Sequence, residues 1–353
     1  MRTKINPNKL LDKKKIYSNI FKPKKITVCL LTYVPNNIGY YNERLNILKI
    51  TLDSLLKNTN KKLYDLIVLN NSNNEKSISL LKKYYNQKKI DLLINSNQNL
   101  GVINGMNLLF NIAPGEIICS IQDDIFFEKN WLEESVKIIK NFPKVGYVST
   151  IPCRSSQNKK NLNLCRANFK NLKKKKIIWQ KDWDRLYAQS VGINEKEFIK
   201  SNKLQFTTGY ETKKTTVLPI SSHVVSVIEK KVLNKVLPFP SVIRNLGGSY
   251  KAADSLINIF DNKLVKLGYA NLTTNGCYSI HIGNTVDETI KNKVRNLHKN
   301  KNRDYFFDNE LFSVKEKFLI FIFKLPLIRN FLKYLNSMSE YILLLKTKYD
   351  AKK

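Results

Sequence analysis

The sequence has few acidic residues and few cysteines for its length. Its 353 residues include 28 Asp and Glu against 61 Lys and Arg, which gives a formal net charge of +33. The five cysteines form no CxxC pair, and Cys29 and Cys119 lie in apolar strand-like runs, where a free cysteine behaves as a small hydrophobic residue. An odd, scattered set of this kind favours a reducing compartment.

Long apolar segments are also missing. The first 25 residues are rich in Lys and Asn and lack the apolar centre of a secretory signal. Near the C-terminus, the longest unbroken apolar run is Phe318–Phe323, far shorter than the roughly 20 residues that a transmembrane helix needs. We therefore expect a cytoplasmic protein, either free or peripheral on the cytoplasmic face of the membrane.

Glycine-rich phosphate motifs are absent as well. No GxGxxG follows the first predicted strand and no GxxxxGK[ST] occurs, which argues against dinucleotide-binding dehydrogenases and P-loop NTPases. The basic excess would suit nucleic acid or an anionic membrane. Lys, however, outnumbers Arg throughout, whereas base-reading and bidentate phosphate sites favour Arg. We expect a solvated basic surface and no specific nucleic-acid partner, with anionic substrates or lipids as alternatives.

Between residues 25 and 149, apolar strand-like runs alternate with helix-length periodic segments. This alternation is typical of an α/β fold with a mostly parallel sheet flanked by helices. The predicted strands are 26–33, 64–71, 90–95, 116–122 and 145–150, and the predicted helices are 42–58, 75–85, 101–113 and 130–142. Further regular structure is predicted at 222–233, as a helix at 250–269 and as a strand within 277–284.

Composition divides the chain into three parts. We predict a basic N-terminal arm at 1–24, a main domain at 25–309 and an amphipathic helical tail at 310–353. The main domain contains a lysine-rich insert at about 153–215, in which Lys173–Lys176 is expected to be a solvated loop or face. In the tail, apolar positions recur at helical spacing among Lys and Arg, and Pro326 divides it into two helices. This tail either lies on an anionic membrane surface or packs on the main domain.

The fourth predicted strand ends in Gln122, Asp123 and Asp124. Its apolar sequence is typical of a strand buried on both faces, and ligands bind at the carboxyl ends of such strands in parallel sheets. The two acids are therefore either solvated loop residues or ligands for a cation.

Four motifs in sequence order resemble those of family-2 glycosyltransferases of the GT-A fold, especially the rhamnosyltransferase type. They are Thr32 and Tyr33, NNSN at 70–73, NLGVINGMN at 99–107 and QDD at 122–124. The resemblance spans roughly residues 25–284 and leaves the lysine-rich insert unmatched. It implies transfer of a hexosyl or deoxyhexosyl group from a nucleoside-diphosphate sugar to a glycan or lipid-linked acceptor, with inversion by single displacement.

The resemblance also implies roles for individual residues. The acidic pair corresponds to the family's DxD element, so Asp124 would bind Mn²⁺ or Mg²⁺ together with substrate phosphates. His281 is either a second metal ligand or a histidine satisfied by the backbone. The nucleotide-sugar contacts would come from Thr32, Tyr33, Asn70, Asn71, Asn99, Gly101, Asn107, Gln122 and Asp123.

Two positions depart from the family's pattern. Gln122 replaces the first Asp of DxD, and Asn70 stands where many members have an Asp that accepts from the nucleobase. Because an amide both accepts and donates hydrogen bonds, the identity of the base stays open.

Inverting transfer also needs a carboxylate that takes the proton from the acceptor hydroxyl. The resemblance places it at the start of the helix before Gly268, where Asp254 and Asp261 are the candidates. We prefer Asp254, because Asp261 is too near Gly268. The alternative interpretation is that Asp254 is an ordinary acid in the first turn of a helix, where the helix dipole favours negative charge. His223 is interpreted as structural or acceptor-side. The alternative function is a non-catalytic GT-A-like domain that binds polyanions or nucleic acid.

Overall fold

The computed structural model describes residues 22–36, 38–153, 158–201, 206–220, 222–240 and 259–299. The chain divides into two units, 1–303 and 304–353, and all described residues belong to the first. Most of the predicted N-terminal arm, the predicted tail and Asp254 lie outside the described residues.

The N-terminal half alternates strands and helices as predicted, and most boundaries agree within two residues. The strands are β1 (Ile26–Thr32), β2 (Tyr64–Asn70), β3 (Leu92–Asn95), β4 (Ile117–Ile121), β5 (Ile125–Phe127) and β6 (Val145–Ser149). The helices are α1 (Arg44–Asn58), α2 (Glu75–Asn86), α3 (Gly101–Ile112) and α4 (Trp131–Asn141). β2 and β4 are buried along their whole length, as expected for strands covered by helices on both faces.

The lysine-rich segment also folds into regular elements. They are α5 (Lys159–Asn168), β7 (Lys173–Ile178), α6 (Lys181–Ser190), α7 (Glu195–Ser201) and β8 (Phe206–Glu211). The four lysines of β7 lie on a strand rather than in a loop; all four are exposed, and the strand pairs with β8. Lysines are common on edge strands because their charge opposes pairing with further strands.

The remaining elements complete two sheets. They are β9 (Thr216–Leu218), β10 (Val225–Glu229), α8 (Lys230–Leu233), α9 (259–266), β11 (Ala270–Thr274), β12 (Ser279–His281) and α10 (Glu288–Lys299). The large sheet has the order β3-β2-β1-β4-β10-β6-β11-β9-β8-β7, and β12 pairs with β5 in a small second sheet.

The predicted α/β class is confirmed, and the large sheet is mixed. Pairing is parallel from β3 to β4 and between β6 and β11. β10 is antiparallel to both of its neighbours, and β8 is antiparallel to both β7 and β9. The carboxyl ends of β1, β2, β3 and β4 therefore meet at one edge, which is where the predicted polar motifs lie.

A large apolar cluster on one face of the sheet joins residues of α3, α8 and α9 to the strands. Phe239, just after α8, contacts Phe110 of α3 and Phe260 of α9 edge to face. Among the helices that the structure describes, none is long and apolar enough to cross a membrane.

Candidate active site

Polar side chains line the edge where the first three strands end. Thr32 lies opposite Asn70 in the β1–β2 register, and Asn70 lies opposite Asn95 in the β2–β3 register. The Asn70 amide donates to Asn95 Oδ1 over 3.1 Å, and the backbone N–H of Asn71 donates to Thr32 O over 2.9 Å. The parallel register thus brings the first two predicted motifs together.

Asn71 and Asn99 order the start of α3. Asn71 Oδ1 accepts from the Leu100 N–H over 2.8 Å, and its amide donates to Asn99 Oδ1 over 2.9 Å. Asn99 Oδ1 also accepts from the Gly101 N–H over 2.8 Å. Gly101 has φ +73°, a left-handed conformation that a side chain would strain. These three predicted residues therefore form one network that fixes the loop between β3 and α3.

Asp123 is buried at the end of β4 and is held by three donors. Thr32 Oγ1 and the Tyr33 N–H donate to its Oδ2 over 2.7 and 3.0 Å, respectively. Arg44 forms an ion pair with Oδ1. Burial and the neighbouring charge of Asp124 raise the pKa of Asp123, whereas Arg44, Thr32 and Tyr33 lower it by less. Asp123 therefore connects the first strand, the first helix and the acidic motif.

Asp124 faces Arg44 and His281 through a single oxygen. Its Oδ2 lies 2.9 Å from Arg44 Nη1 and 3.3 Å from His281 Nε2. Its Oδ1 is buried and has no hydrogen-bond partner among the described residues. Burial raises the pKa of Asp124, but His281 and Arg44 lower it by more, so it lies below the ordinary value. Asp124 is thus an ionised carboxylate with one oxygen available to a ligand.

Arg44 is a site residue that the motif analysis missed. It is the first residue of α1 and pairs with both carboxylates. Burial lowers the pKa of Arg44, but the charges of Asp123 and Asp124 raise it by more, so the net shift is upward.

The same helix holds the backbone of the acidic segment. Thr51 Oγ1 donates to Asp123 O over 3.0 Å and accepts from the Ile125 N–H over 3.0 Å. Ser54 accepts from the Phe127 N–H over 3.1 Å, and the Asn58 amide donates to Phe127 O over 2.7 Å. The signal in the sequence was a second, polar stripe at helical spacing within the apolar helix 42–58.

The small sheet places His281 beside Asp124, as the metal-site prediction requires. His281 lies opposite Ile125 in the β5–β12 register, and the Ile282 N–H donates to Asp124 O over 2.7 Å. On its other side, His281 Nδ1 lies 2.9 Å from Ser190 Oγ. His223 lies just before β10, and burial and the charge of His281 lower its pKa to about 4. His223 is therefore neutral at physiological pH.

Three further predicted residues, Gln122, Asn107 and Asp261, lie in different parts of the fold. Gln122 is half-buried next to the acidic pair. Asn107 lies in the second turn of α3, where its amide donates to Phe239 O and accepts from the Phe239 N–H, both over 2.9 Å. It therefore ties α3 to the chain just before the segment that contains Asp254. Asp261 is half-buried in α9.

The residues at this edge fit a divalent cation whose coordination is completed by substrate. Two carboxylates face one guanidinium, so negative charge remains, and Asp124 Oδ1 is free to coordinate. His281 adds a nitrogen next to the same carboxylate. Among the described residues, no group of three or more His, Cys, Asp and Glu could hold a metal ion. Magnesium and manganese are commonly bound by one or two carboxylates plus phosphate oxygens, which matches this sparse set.

Comparison with known proteins adds a relative and two solved structures. An uncharacterized glycosyltransferase of Methanocaldococcus jannaschii is 35% identical over 102 residues, which cover 29% of this chain and 35% of that protein. The mannosyltransferase PcManGT of Pyrobaculum calidifontis, in complex with GDP-Man and Mn²⁺, is 14% identical with a TM-score of 0.41. S. aureus TarS 1–349 has the same identity and TM-score, 14% and 0.41.

These matches are partial in length. The chain spans about a third of the Methanocaldococcus protein, and the structural matches cover 73% and 72% of this chain but only 59% of each solved chain. The model of glycosyl transferase family 2 matches residues 38–212. The matched segment, which includes Arg44, Asp123 and Asp124, belongs to glycosyl transferase family 2.

Proposed function

We propose that this protein transfers a hexosyl or deoxyhexosyl group from a nucleoside-diphosphate sugar to a glycan or a lipid-linked acceptor. The observation that carries the proposal is the buried pair Asp123 and Asp124 at the carboxyl ends of parallel strands, inside the segment that matches the family. Burying two adjacent carboxylates is costly unless they are paired. A single arginine compensates for only part of this charge, which is understandable if the site receives a further cation together with an anionic substrate.

In this proposal, Asp124 and His281 hold Mn²⁺ or Mg²⁺. The bound ion would stabilise the negative charge that develops on the diphosphate leaving group. Asp123 does not need to coordinate it. Its bonds to Thr32, Tyr33 and Arg44 instead keep the acidic segment fixed against β1 and α1, and such preorganisation is what a catalytic site needs.

The nucleotide sugar lies along the polar edge formed by the strand ends. Thr32, Tyr33, Asn70 and Asn71 line its nucleoside side. Asn99 and Gly101 at the start of α3, Asn107 farther along that helix, and Gln122 and Asp123 at the end of β4 contribute the remaining contacts. Since Asn70 carries an amide, it can face either a donor or an acceptor on the base.

Asp254 is the proposed base. It takes the proton of the acceptor hydroxyl as that oxygen attacks the anomeric carbon on the side opposite to the diphosphate, which inverts the configuration. The described helix α9 follows Asp254 by a few residues and packs in the main apolar cluster through Phe260 and Leu264.

A second candidate function is polyanion binding without catalysis. It is favoured by the four exposed lysines of β7, of which Lys173 and Lys175 pair with Glu211 and Lys176 lies over the Phe206 ring.

Thermal unfolding with nucleotides distinguishes the two functions. A ligand that binds only the folded protein raises its melting temperature, so UDP, GDP, dTDP and CMP are compared with and without Mn²⁺. A glycosyltransferase should be stabilised by one nucleotide over the others, and more strongly with Mn²⁺. Equal and negligible shifts for all four, together with salt-sensitive binding of RNA, would instead support polyanion binding.

A further inference from the structure

We infer that Ser190 is a positioning residue that presents Nε2 of His281 to the metal ion. The inference rests on the proposed function, because it assigns a role within the same metal site. Ser190 is the last residue of α6, which lies in the predicted lysine-rich insert.

The hydrogen bonds of Ser190 assign the proton on the imidazole ring. Ser190 Oγ donates to Tyr187 O over 2.7 Å, and a hydroxyl has only one hydrogen to donate. The same oxygen lies 2.9 Å from His281 Nδ1, so it meets that nitrogen as an acceptor. The hydrogen between them therefore belongs to Nδ1.

A neutral imidazole with its hydrogen on Nδ1 carries its lone pair on Nε2. Nε2 is the ring atom that faces Asp124, at 3.3 Å from Oδ2. Histidines that bind metals generally donate their other ring N–H to an acceptor, which fixes the tautomer and the ring orientation. Ser190 supplies that acceptor here. The same orientation serves a doubly protonated ring, because Nε2–H then donates to Asp124.

A close backbone approach keeps Ser190 at this distance from His281. Gly283, two residues beyond His281, has φ +75°, and a Cβ at this position would lie 2.0 Å from Ser190 O. Any side chain there would push the end of α6 away from β12, since such a contact is far below van der Waals distance. The glycine thus lets the insert contribute a hydroxyl to a site whose other residues come from α1, the end of β4 and β12.

Manganese binding tests the inference without a turnover assay. Free Mn²⁺ is followed by electron paramagnetic resonance during titration of the full chain with Mn²⁺ plus UDP and with Mn²⁺ plus GDP. Removing the second partner of a metal ligand typically weakens metal binding by about 10- to 100-fold. We expect a loss of this size for Ser190→Ala, near wild-type affinity for Ser190→Thr, and no change for Ser79→Ala, an exposed serine in α2.

Electron spin-echo modulation provides the second readout, because it detects nitrogen coordinated to Mn²⁺. The wild type should show a coupling between Mn²⁺ and an imidazole nitrogen. This coupling should disappear in His281→Ala and weaken in Ser190→Ala. If Ser190→Ala does not melt cooperatively, Ser190→Thr and Ser190→Val are compared instead, because threonine and valine have the same shape and differ in the hydroxyl group.

The two hypotheses fail in different ways. Wild-type affinity and nitrogen coupling in Ser190→Ala would overturn the role of Ser190 and leave the proposed metal site intact. Absence of Mn²⁺ binding or of nitrogen coupling in the wild type would contradict the metal site itself, and the role of Ser190 with it.

Discussion

One guanidinium holds the two buried carboxylates of the candidate site together. Arg44 contacts Asp123 and Asp124, whose residues are only 4% and 8% exposed. Breaking a buried ion pair by removing one partner is strongly destabilising, because the other charge stays buried without compensation. Arg44 is therefore expected to matter for folding as well as for the geometry of the site.

The first prediction concerns this arginine. Arg44→Ala should lower the free energy of unfolding by about 3–5 kcal/mol, as measured by urea denaturation. Arg44→Lys should fall between Arg44→Ala and the wild type, because lysine keeps the charge but not the planar fork that reaches two carboxylates. Arg185→Ala is the matched control, since Arg185 pairs with Asp182 on the exposed surface, where such pairs contribute little. Equal losses in the Arg44→Ala and Arg185→Ala variants would contradict the account of the buried cluster.

The second prediction separates the two candidate bases. Asp254→Asn should leave nucleotide binding nearly unchanged and lower turnover, because a base acts in the transition state rather than in holding the donor. Asp261→Asn should have a mild effect on turnover. Steady-state rates and nucleotide dissociation constants of both variants check this. If transfer were lost in Asp261→Asn but not in Asp254→Asn, the catalytic base would be Asp261 of α9 and the assignment of Asp254 would be wrong.

At the scale of elements, α1 and α3 connect the site to the rest of the fold. Helix α1 contacts the acidic segment through four polar side chains on one face: Arg44, Thr51, Ser54 and Asn58. Helix α3 is tied to Phe239 by both polar groups of the Asn107 side chain. In both helices, apolar residues provide the packing, and polar side chains fix the position of the helix against the segment that it contacts.

The third prediction concerns Asn107. Asn107→Ala should lower the free energy of unfolding by about 1–3 kcal/mol, since two backbone groups of Phe239 lose their partner. Asn104→Ala on the same helix is the control, because Asn104 is exposed and its amide donates to Leu100 O within the same helix. An equal stability for the two variants would contradict the structural role. Wild-type nucleotide affinity in Asn107→Ala would remove this residue from the proposed donor contacts and leave its structural role intact.

Local patterns predicted β1, β2, β3, β4, β6 and the helices between them well, whereas the short strand β5 was not predicted. The predicted strands are nearly continuous apolar runs and the helices have clear apolar stripes, so neighbouring residues alone determine the assignment. The insert was harder to predict, because the lysines of β7 hide the period of a strand. The antiparallel placement of β10 between β4 and β6 depends on pairing between distant segments, which no local pattern encodes.

The same distinction applies to the site. Asp123, Asp124, Thr32 and Asn71 were predicted because motifs at strand ends identify them. Arg44 and Ser190 were missed, since Arg44 lies 79 and 80 positions before its two carboxylates and Ser190 lies 91 positions before His281. Their roles come from the tertiary contacts of α1 and α6.

At the scale of the whole molecule, the charge of +33 and the C-terminal tail bear on location. The tail at 310–353 lies outside the described residues, so its amphipathic character stays a sequence prediction. Each cation near an anionic membrane surface adds on the order of 1 kcal/mol of attraction. A lipid-linked acceptor would place the reacting hydroxyl beside such a surface.

The fourth prediction uses a chain that ends at Asn309. We expect it to melt cooperatively and to bind nucleotide, but no longer to sediment with anionic liposomes at low salt, whereas the full chain does. Neutral liposomes are the control for the electrostatic contribution. Aggregation or loss of the cooperative melt after truncation would show instead that the tail packs on the main domain.

The central claim is that Asp124 supports metal-dependent transfer of a sugar. Release of nucleoside diphosphate from UDP-sugars and GDP-sugars tests it most directly, since hydrolysis by water reports cleavage of the same bond when the acceptor is unknown. The assay compares Mn²⁺ with chelator for the wild type, for Asp124→Asn and for Asp182→Asn, whose carboxylate is exposed. We predict release only with Mn²⁺, unchanged in Asp182→Asn and about 100-fold or more lower in Asp124→Asn. Equal release by Asp124→Asn and the wild type, or release that persists in chelator, would contradict the claim.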